Sequence, residues 1–166
     1  MHNMARFFRH AFSLDFQVRR AFGRQTLDAI ESEIHQGEAM HGGEVRLVVE
    51  AALSLPAIVA NQSARARAID VFSYSRIWDT ENRNGVLIYL LWADHAVEII
   101  ADRGIDAKVG AALWQSICEE MQQQFRQQHY HQGALMGVRQ VSQLLATHFP
   151  TDIPKRNELC NKVILL

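Results

Sequence analysis

The residues best suited to chemistry in this sequence are carboxylates and side-chain amides gathered around one short loop. Residues 79–84 read Asp-Thr-Glu-Asn-Arg-Asn, and an Asp-Arg pair follows two apolar segments later, at 102–103. Hard cations such as Ca²⁺ and Mg²⁺ prefer carboxylate, amide and backbone carbonyl oxygens as ligands. The candidate metal ligands are therefore Asp79, Asn82, Asn84, Asp102 and, from an earlier segment, Glu44.

An ordinary loop is the alternative interpretation of the same residues. Asp and Asn side chains satisfy nearby backbone groups, and an Asn-Gly pair tolerates positive φ angles. Residues 79–85 also lack the closing glutamate of an EF-hand. If the loop is instead catalytic, the candidates are Asp79 and Asp102 as holders of a cation and Arg103 as a group that stabilises phosphate oxygens.

Other catalytic machinery is missing from the sequence. It contains no Gly-rich phosphate cradle, no nucleophile elbow and no HExxH helix, and Cys118 has no adjacent base. Cys118 and Cys160 are too few and too far apart for a disulfide framework, which favours a reducing, cytoplasmic setting. The missing nucleophile favours a binding function over catalysis.

A β-hairpin is predicted directly after the loop. Residues 85–92 form a nearly continuous apolar run, which is typical of a central strand covered on both faces, and residues 97–101 return as the partner strand. A turn centred on positions 94 and 95 would pair Leu87 with Asp102. The acidic loop would then lie beside Asp102 at one rim of the sheet.

A parallel strand at residues 44–50 is predicted to complete this rim. Helices are predicted at 26–40 and 63–75, and two more follow the hairpin. A right-handed crossover makes the first two strands parallel and brings Glu44 to the same rim. The order of elements predicts a three-layer α/β/α sandwich with a small mixed sheet, one βαβ crossover, a β-hairpin and helices on both faces.

The N-terminal segment, residues 1–23, is predicted to be a basic, Phe-rich arm. Residues 1–25 carry five arginines against Asp15 alone, so their net charge is +5 − 1 = +4, whereas the whole chain carries −1. Four apolar residues share one face of a short amphipathic helix: Met4, Phe8, Ala11 and Phe12. The phenylalanines either complete the core or form an interfacial segment, residues 4–22, for a protein partner or an anionic membrane surface.

Length and composition indicate one domain. A chain of 166 residues with 48% hydrophobic and 21% charged residues is ordinary for a globular protein, and its domain is expected at 24–150 with a C-terminal tail at 151–166. A net charge of −1 gives no general drive toward nucleic acid. No apolar run approaches the ~20 residues of a spanning helix. The expected location is cytoplasmic, with peripheral attachment at the inner membrane as the interfacial alternative.

The motif beginning at Arg76 also resembles a known family. The run Arg-Ile-Trp-Asp-Thr-Glu-Asn-Arg-Asn-Gly-Val-Leu-Ile-Tyr-Leu-Leu, the following hairpin through Gly104 and two helices ending at Thr-His-Phe-Pro150 are similar to the TPM-domain family. That family includes thylakoid-lumen proteins of photosystem II repair and many bacterial membrane-associated or secreted proteins. The resemblance covers roughly residues 25–150 and is closest to a short bacterial branch that lacks a signal peptide.

The resemblance implies an α/β/α sandwich, and for activity it implies a phosphatase, since acid phosphatase activity and divalent-cation binding have been proposed for plant members. The family's acidic and amide loop corresponds by position to Asp79, Asn82, Asn84 and Gly85, with Asp102 on the hairpin. Two functions follow as expectations. The favoured one is a non-catalytic module that binds a partner or membrane through its arm, with a structural Ca²⁺ or Mg²⁺ and no organic cofactor. The alternative is a metal-dependent phosphohydrolase.

Overall fold

The computed structural model describes residues 2–13, 15–151 and 159–166. Residues 152–158 of the tail predicted at 151–166 lie outside that part of the chain. The elements follow the chain in this order: α1 (His2–Phe12), α2 (Asp15–Ala21), α3 (Arg24–Glu38), β1 (Glu44–Glu50), α4 (Leu55–Val59), α5 (Ala64–Tyr74), β2 (Gly85–Leu91), β3 (Ala96–Ala101), α6 (Arg103–Val109), α7 (Ala111–Arg126), α8 (Tyr130–His148) and β4 (Ile164–Leu165).

The described residues form one four-stranded mixed sheet with the order β3-β2-β1-β4. β1 and β2 are parallel with Glu44 opposite Gly85, and β2 and β3 are antiparallel. β4 adds to the free edge of β1 as a short parallel strand. The predicted crossover, hairpin and mixed sheet are therefore confirmed.

Apolar side chains leave the sheet on both faces, as the continuous apolar run of β2 predicts. On one face Val45, Ile88 and their neighbours pack against α3, α7 and α8. On the other face Leu87 and Tyr89 pack against α5. Every residue of β2 is buried. Helices on both faces of the sheet give the predicted α/β fold its three layers.

The hairpin has a different register from the predicted one. Leu87 pairs with Ile100 rather than with Asp102, because the turn centres one position earlier, between Ala93 and Asp94. The partner of Leu87 shifts by two residues, so every side chain keeps its face of the sheet. The backbone N–H of Asp102 now donates to the carbonyl of Gly85 at 2.9 Å, which still places Asp102 beside the acidic loop.

Two helix starts show how local chemistry fixes the boundaries. The Ser63 hydroxyl accepts a hydrogen bond from the backbone N–H of Ala66 at 3.1 Å, so Ser63 is the N-cap of α5 and the helix starts where it was predicted. The predicted start of α3 at Thr26 is wrong. This helix begins at Arg24 after Gly23, whose extended backbone makes it the N-cap without a side-chain bond.

Candidate functional site

The acidic loop and the start of α6 enclose a cavity of about 430 Å³, here called the rim cavity. It lies at the end of the sheet where β1 and β2 begin and β3 ends. Three candidate residues line it: Asp79, Asp102 and Arg103. Trp78, Thr80 and Arg83 complete the lining. The prediction that Asp79, Asp102 and Arg103 share one rim therefore matches this geometry, whatever their chemical role.

Backbone contacts hold the loop against α6. The N–H of Gly104 donates to the carbonyl of Arg83 at 3.0 Å. A Cβ atom on Gly104 would lie 2.5 Å from that carbonyl oxygen and 2.8 Å from the carbonyl oxygen of Asn82. Only glycine permits so close an approach of two backbone segments. Gly104 therefore determines how near the loop lies to Asp102.

Asp102 caps a helix through one carboxylate oxygen, and its other oxygen has no hydrogen bond to the described residues. Its Oδ1 accepts from the N–H of Arg103 at 2.6 Å and so caps α6. Its Oδ2 is buried and makes no hydrogen bond to the described residues. A buried carboxylate oxygen without a partner is costly, so this atom is suited to accept a bond from a ligand.

Asn84 lies at the start of β2 and is fully buried. Its backbone N–H donates to the Thr80 hydroxyl at 3.1 Å, and its Nδ2 donates to the carbonyl of Gly42 at 3.0 Å. The remaining Oδ1 is also buried, with no hydrogen bond in the part of the chain described. Asn84 therefore ties the loop to the segment before β1 and leaves one amide oxygen unsatisfied.

Three candidate ligands lie outside the lining of the rim cavity: Asn84, Glu44 and Asn82. Glu44 is buried on the rim opposite Gly85, as predicted, but its Oε2 accepts from the backbone N–H of Leu159 at 3.1 Å. Asn82 is exposed. Across the described ranges, no group of three or more His, Cys, Asp and Glu side chains is placed to hold a metal ion. The oxygens of the cavity suit a hard cation, and Asp79 and Asp102 are the only carboxylates among the described residues of its lining.

A second site is the surface formed by α1 and α2, together called the arm. The polar side of α1 faces the body of the protein, where the carboxylate of Asp94 accepts from Arg6 at 2.8 and 3.0 Å. His10 is fully buried at the same carboxylate, 3.1 Å from it through Nε2. Its Nδ1 accepts from the backbone N–H of Leu53 at 3.0 Å. Since Nδ1 accepts this bond, Nε2 is the ring nitrogen that donates to Asp94.

The charge of Asp94 is stabilised by these contacts. Burial alone would raise the pKa of its carboxyl group. The hydrogen bond from Arg6, together with the nearby His10 and the positive charge of Arg6, outweighs that effect and lowers the pKa below its usual value. Sequence reasoning treated Asp94 only as a turn residue, because its partners lie more than 80 positions away and leave no local signal.

The apolar side of α1 faces away from the body. Phe22 and Val18 are buried in the core, as the docking interpretation of the arm predicts. The other large apolar residues of the arm are exposed, which makes that interpretation wrong for them: Met4 (69% exposed), Phe7 (39%), Phe8 (52%), Phe12 (71%) and Phe16 (60%). An amphipathic helix packed through its polar face leaves an apolar surface that needs another partner.

None of the helices in the described residues has the length and apolar character needed to cross a membrane. The mixed sheet, the helices on both its faces and the Asn-Gly loop at its rim define a TPM-type α/β domain. The sequence profile of the TPM domain matches residues 19–144, so the chain belongs to the TPM-domain family. None of the curated proteins compared with the chain matches it.

Solved structures agree with this assignment. The chain is similar to the BA42 protein from the psychrophilic bacterium Bizionia argentinensis, with 29% identity and a TM-score of 0.74 over 85% of this chain and 92% of that one. It also resembles the N-terminal domain of a P. gingivalis protein, with 16% identity and a TM-score of 0.62 over 79% and 82% of the two chains. The second likeness concerns the fold alone.

Proposed function

We propose that this TPM-family chain is a peripheral membrane-binding module that attaches to anionic lipid through its arm. One observation carries the proposal: α1 packs its polar side on Asp94 and turns its phenylalanines outward. A helix of this length usually buries its apolar side and leaves its charges in water. The reversed orientation suits a helix whose apolar side enters the boundary between headgroups and acyl chains.

The apolar surface is large enough to supply useful binding energy. Fully burying one Phe side chain contributes about 1.5–3 kcal/mol. Phe8, Phe12 and Phe16 are each more than half exposed and would bury most of their rings in a membrane. Phe8 and Phe12 also stack, with ring centroids 6.4 Å apart and planes 14° apart, so they present one continuous apolar patch.

The charge around this patch favours anionic lipid over a neutral surface. Arg19, Arg20 and Arg24 are exposed on the arm or directly after it, and Arg9 is half exposed beside Asp94. Each basic residue close to an anionic membrane contributes about 1 kcal/mol. The combination of exposed aromatic rings and flanking arginines is typical of interfacial helices.

Vesicle co-sedimentation of the full chain tests the proposal. We expect binding to phosphatidylglycerol-containing vesicles at low salt, weaker binding at high salt because the arginine contribution is screened, and little binding to phosphatidylcholine alone. Absence of binding to anionic vesicles at low salt would contradict the proposal. Equal binding to both vesicle types would contradict the part assigned to the arginines.

Matched variants test whether vesicle binding depends on the arm or on exposed apolar residues in general. The first variant replaces three exposed phenylalanines of the arm: Phe8→Ser, Phe12→Ser and Phe16→Ser. The control replaces three exposed apolar residues of the body: Leu55→Ser, Ile69→Ser and Leu113→Ser. We expect the arm variant to lose at least roughly 100-fold in vesicle partitioning and the control to bind as the unaltered chain does. Comparable losses in both variants would remove the special role of the arm.

A second candidate function, a cation-dependent phosphohydrolase, is favoured by the Oδ2 of Asp102, which has no hydrogen bond to the described residues and lies with Asp79 in the rim cavity. Asp79 and Asp102 would hold Ca²⁺ or Mg²⁺, whereas the predicted ligand Asn84 lies outside the lining. When bound, such a cation neutralises charge and lowers the pKa of water. Arg83 and Arg103, both exposed at the cavity, would bind phosphate oxygens.

Two measurements test the rim cavity. A thermal-shift series with Ca²⁺ and Mg²⁺ is expected to raise the Tm of the unaltered chain and to leave that of Asp79→Asn unchanged, because binding to the folded state alone stabilises it. No shift with either ion contradicts the cation. Hydrolysis of p-nitrophenyl phosphate that survives in Asp79→Ala and Asp102→Ala contradicts catalysis at this cavity.

A further inference from the structure

A separate cavity of about 390 Å³ opens at the opposite end of the sheet from the rim cavity. It lies where β2 ends and the hairpin turns, and the start of α8 closes one side. Phe22, Trp92, Phe125 and Tyr130 line it, so we call it the aromatic pocket. Its volume is within the ~300–1,000 Å³ range of small-molecule sites.

The aromatic side chains form one connected wall. The ring of Tyr130 lies at its centre, 5.1 Å from Trp92, 5.8 Å from Phe125 and 5.9 Å from Phe22, measured between centroids. Phe22 and Phe125 meet edge to face at 6.2 Å. Rings at these separations and tilts present both faces and edges to the cavity, an arrangement that suits another aromatic ring.

The ionisable groups around this wall favour an anion. The polar residues in the lining include His95, Gln122, Arg126 and Gln128, and none of the described lining residues carries a carboxylate. The guanidinium of Arg126 makes no hydrogen bond or ion pair within the described residues, whereas Arg6, Arg67 and Arg139 are each paired with an acid. An unpaired guanidinium beside an apolar cavity is well suited to bind a carboxylate in bidentate fashion.

The backbone on two sides of the pocket is held in an unusual conformation. His95 and Gln128 have φ angles of 51° and 62° in the left-handed region, which non-glycine residues rarely adopt. Both line the cavity. Strained backbone that persists in a folded protein clusters at ligand sites, where it fixes the shape of the site before binding.

We propose that the aromatic pocket binds a small aromatic monocarboxylate. The ring of the ligand packs against Tyr130, Trp92 and Phe125, and its carboxylate accepts hydrogen bonds from Arg126. The amides of Gln122 and Gln128 supply further donors at the open side. Phe22, which directly follows α2, lines this pocket, but neither the exposed phenylalanines of the arm nor the rim cavity is part of it, so its test is independent of theirs.

The probe is 2-naphthoate, titrated into the full ¹⁵N-labelled chain and followed by amide and indole chemical shifts. We expect shifts at Trp92, Arg126 and Tyr130 with a Kd of about 1 mM or tighter. Uncharged 2-naphthamide is expected to bind more weakly because it leaves Arg126 without a charged partner. Octanoate is also expected to bind more weakly because it offers no ring. Failure to shift these residues, or a stronger response to either comparison compound, overturns the proposal.

Two variants test which residues bind the carboxylate and the ring of the ligand. Arg126→Gln is expected to weaken 2-naphthoate binding about tenfold while leaving 2-naphthamide binding unchanged. Tyr130→Leu is expected to weaken the binding of both compounds. Arg139→Gln, which removes a 58% exposed side chain outside the pocket lining, is the control for general charge and is expected to change neither. Equal losses in Arg126→Gln and Arg139→Gln overturn the assignment of the carboxylate to Arg126.

Discussion

Removing the carboxylate of Asp94 should release α1 from the body of the protein. Asp94→Ala deletes the acceptor for three hydrogen bonds from Arg6, the contact with His10 and a more exposed one with Arg9 at 3.2 Å. The side chains of Arg6 and His10 are 14% and 0% exposed, so water compensates only partly for the loss. The polar contacts are the main attachment of α1, because its phenylalanines face outward.

The size of the effect depends on which hydrogen bonds Arg6 and His10 keep in Asp94→Ala. Arg6 still donates to the carbonyl of Gln62 at 2.6 Å, and His10 still accepts from Leu53, so neither group is left wholly unsatisfied. Hydrogen bonds to charged groups contribute about 1.5–3 kcal/mol each, and they are not additive within one network. We expect docking of α1 to weaken by about 2–4 kcal/mol, or roughly 30- to 700-fold in its equilibrium.

Hydrogen exchange of backbone amides measures this equilibrium directly. In Asp94→Ala the amides of α1 should exchange faster by that factor, while those of the buried strand β2 keep their protection. Glu119→Ala is the control, because it removes a carboxylate whose described bond stays within one helix. If α1 keeps its protection in Asp94→Ala, or loses it equally in the control, Asp94 does not hold the arm.

The same contact should also respond to acid. The docked arm lowers the pKa of Asp94, so the docked state favours the ionised carboxyl. Its stabilisation is then fully present above the undocked pKa, about 4, and is lost as the pH falls through the lower docked value. The protection of the α1 amides, taken relative to intrinsic exchange at each pH, should therefore fall below about pH 4. Asp94→Ala should not show this fall.

Three further predictions concern the body of the protein. Glu50→Gln removes the charge of a carboxylate that accepts three hydrogen bonds from Arg67 and one from the hydroxyl of Tyr89 at 2.7 Å. It should lower the free energy of unfolding by about 2–4 kcal/mol in urea titrations. Glu33→Gln, at a more exposed pair with Arg139, should have no measurable effect. Gly104→Ala forces a Cβ against the carbonyl of Arg83 and should lower the free energy of unfolding by about 1–3 kcal/mol. In the control Gly42→Ala the nearest contact of the new Cβ is an ordinary 3.8 Å, so its stability should be nearly unchanged. Equal stabilities of the two variants would contradict the close approach of loop and helix. Burial and the charge of Glu98 raise the pKa of the Cys118 thiol to about 12, so a thiol reagent at neutral pH should modify the exposed Cys160 well before Cys118.

The sheet could be predicted from the sequence because its signals are local and strong. The apolar run of β2 required cover on both faces, and a right-handed crossover then made β1 parallel to it. The hairpin register was wrong by two residues, because the position of the turn depends on which backbone groups pair, and residues 92–96 allow more than one choice. Gly85 and Asp102 came together despite this error.

The arrangement of the sites was harder to predict from the sequence, because it depends on contacts between residues distant in the chain. Periodicity predicted the amphipathic helix at α1 correctly, but its orientation depends on Asp94, whose role appears only in the folded chain. Glu44 reaches the predicted rim, yet the backbone of Leu159, 115 residues away, takes up one of its carboxylate oxygens. Arg67 pairs with the buried Glu50, 17 positions away, and nothing in the sequence indicates this partner. A charge pattern alone does not show which acid an arginine will meet.

The depth of the arm in a bilayer tests the central proposal most directly. The full chain would be bound to phosphatidylglycerol nanodiscs that carry a spin label on the acyl chain, and the broadening of each amide signal would be measured. The proposal predicts strong broadening at Phe8, Phe12 and Phe16 and none at the rim-cavity residue Asp79. Uniform broadening, or an unaffected arm on a bound protein, would contradict attachment through the apolar side of α1.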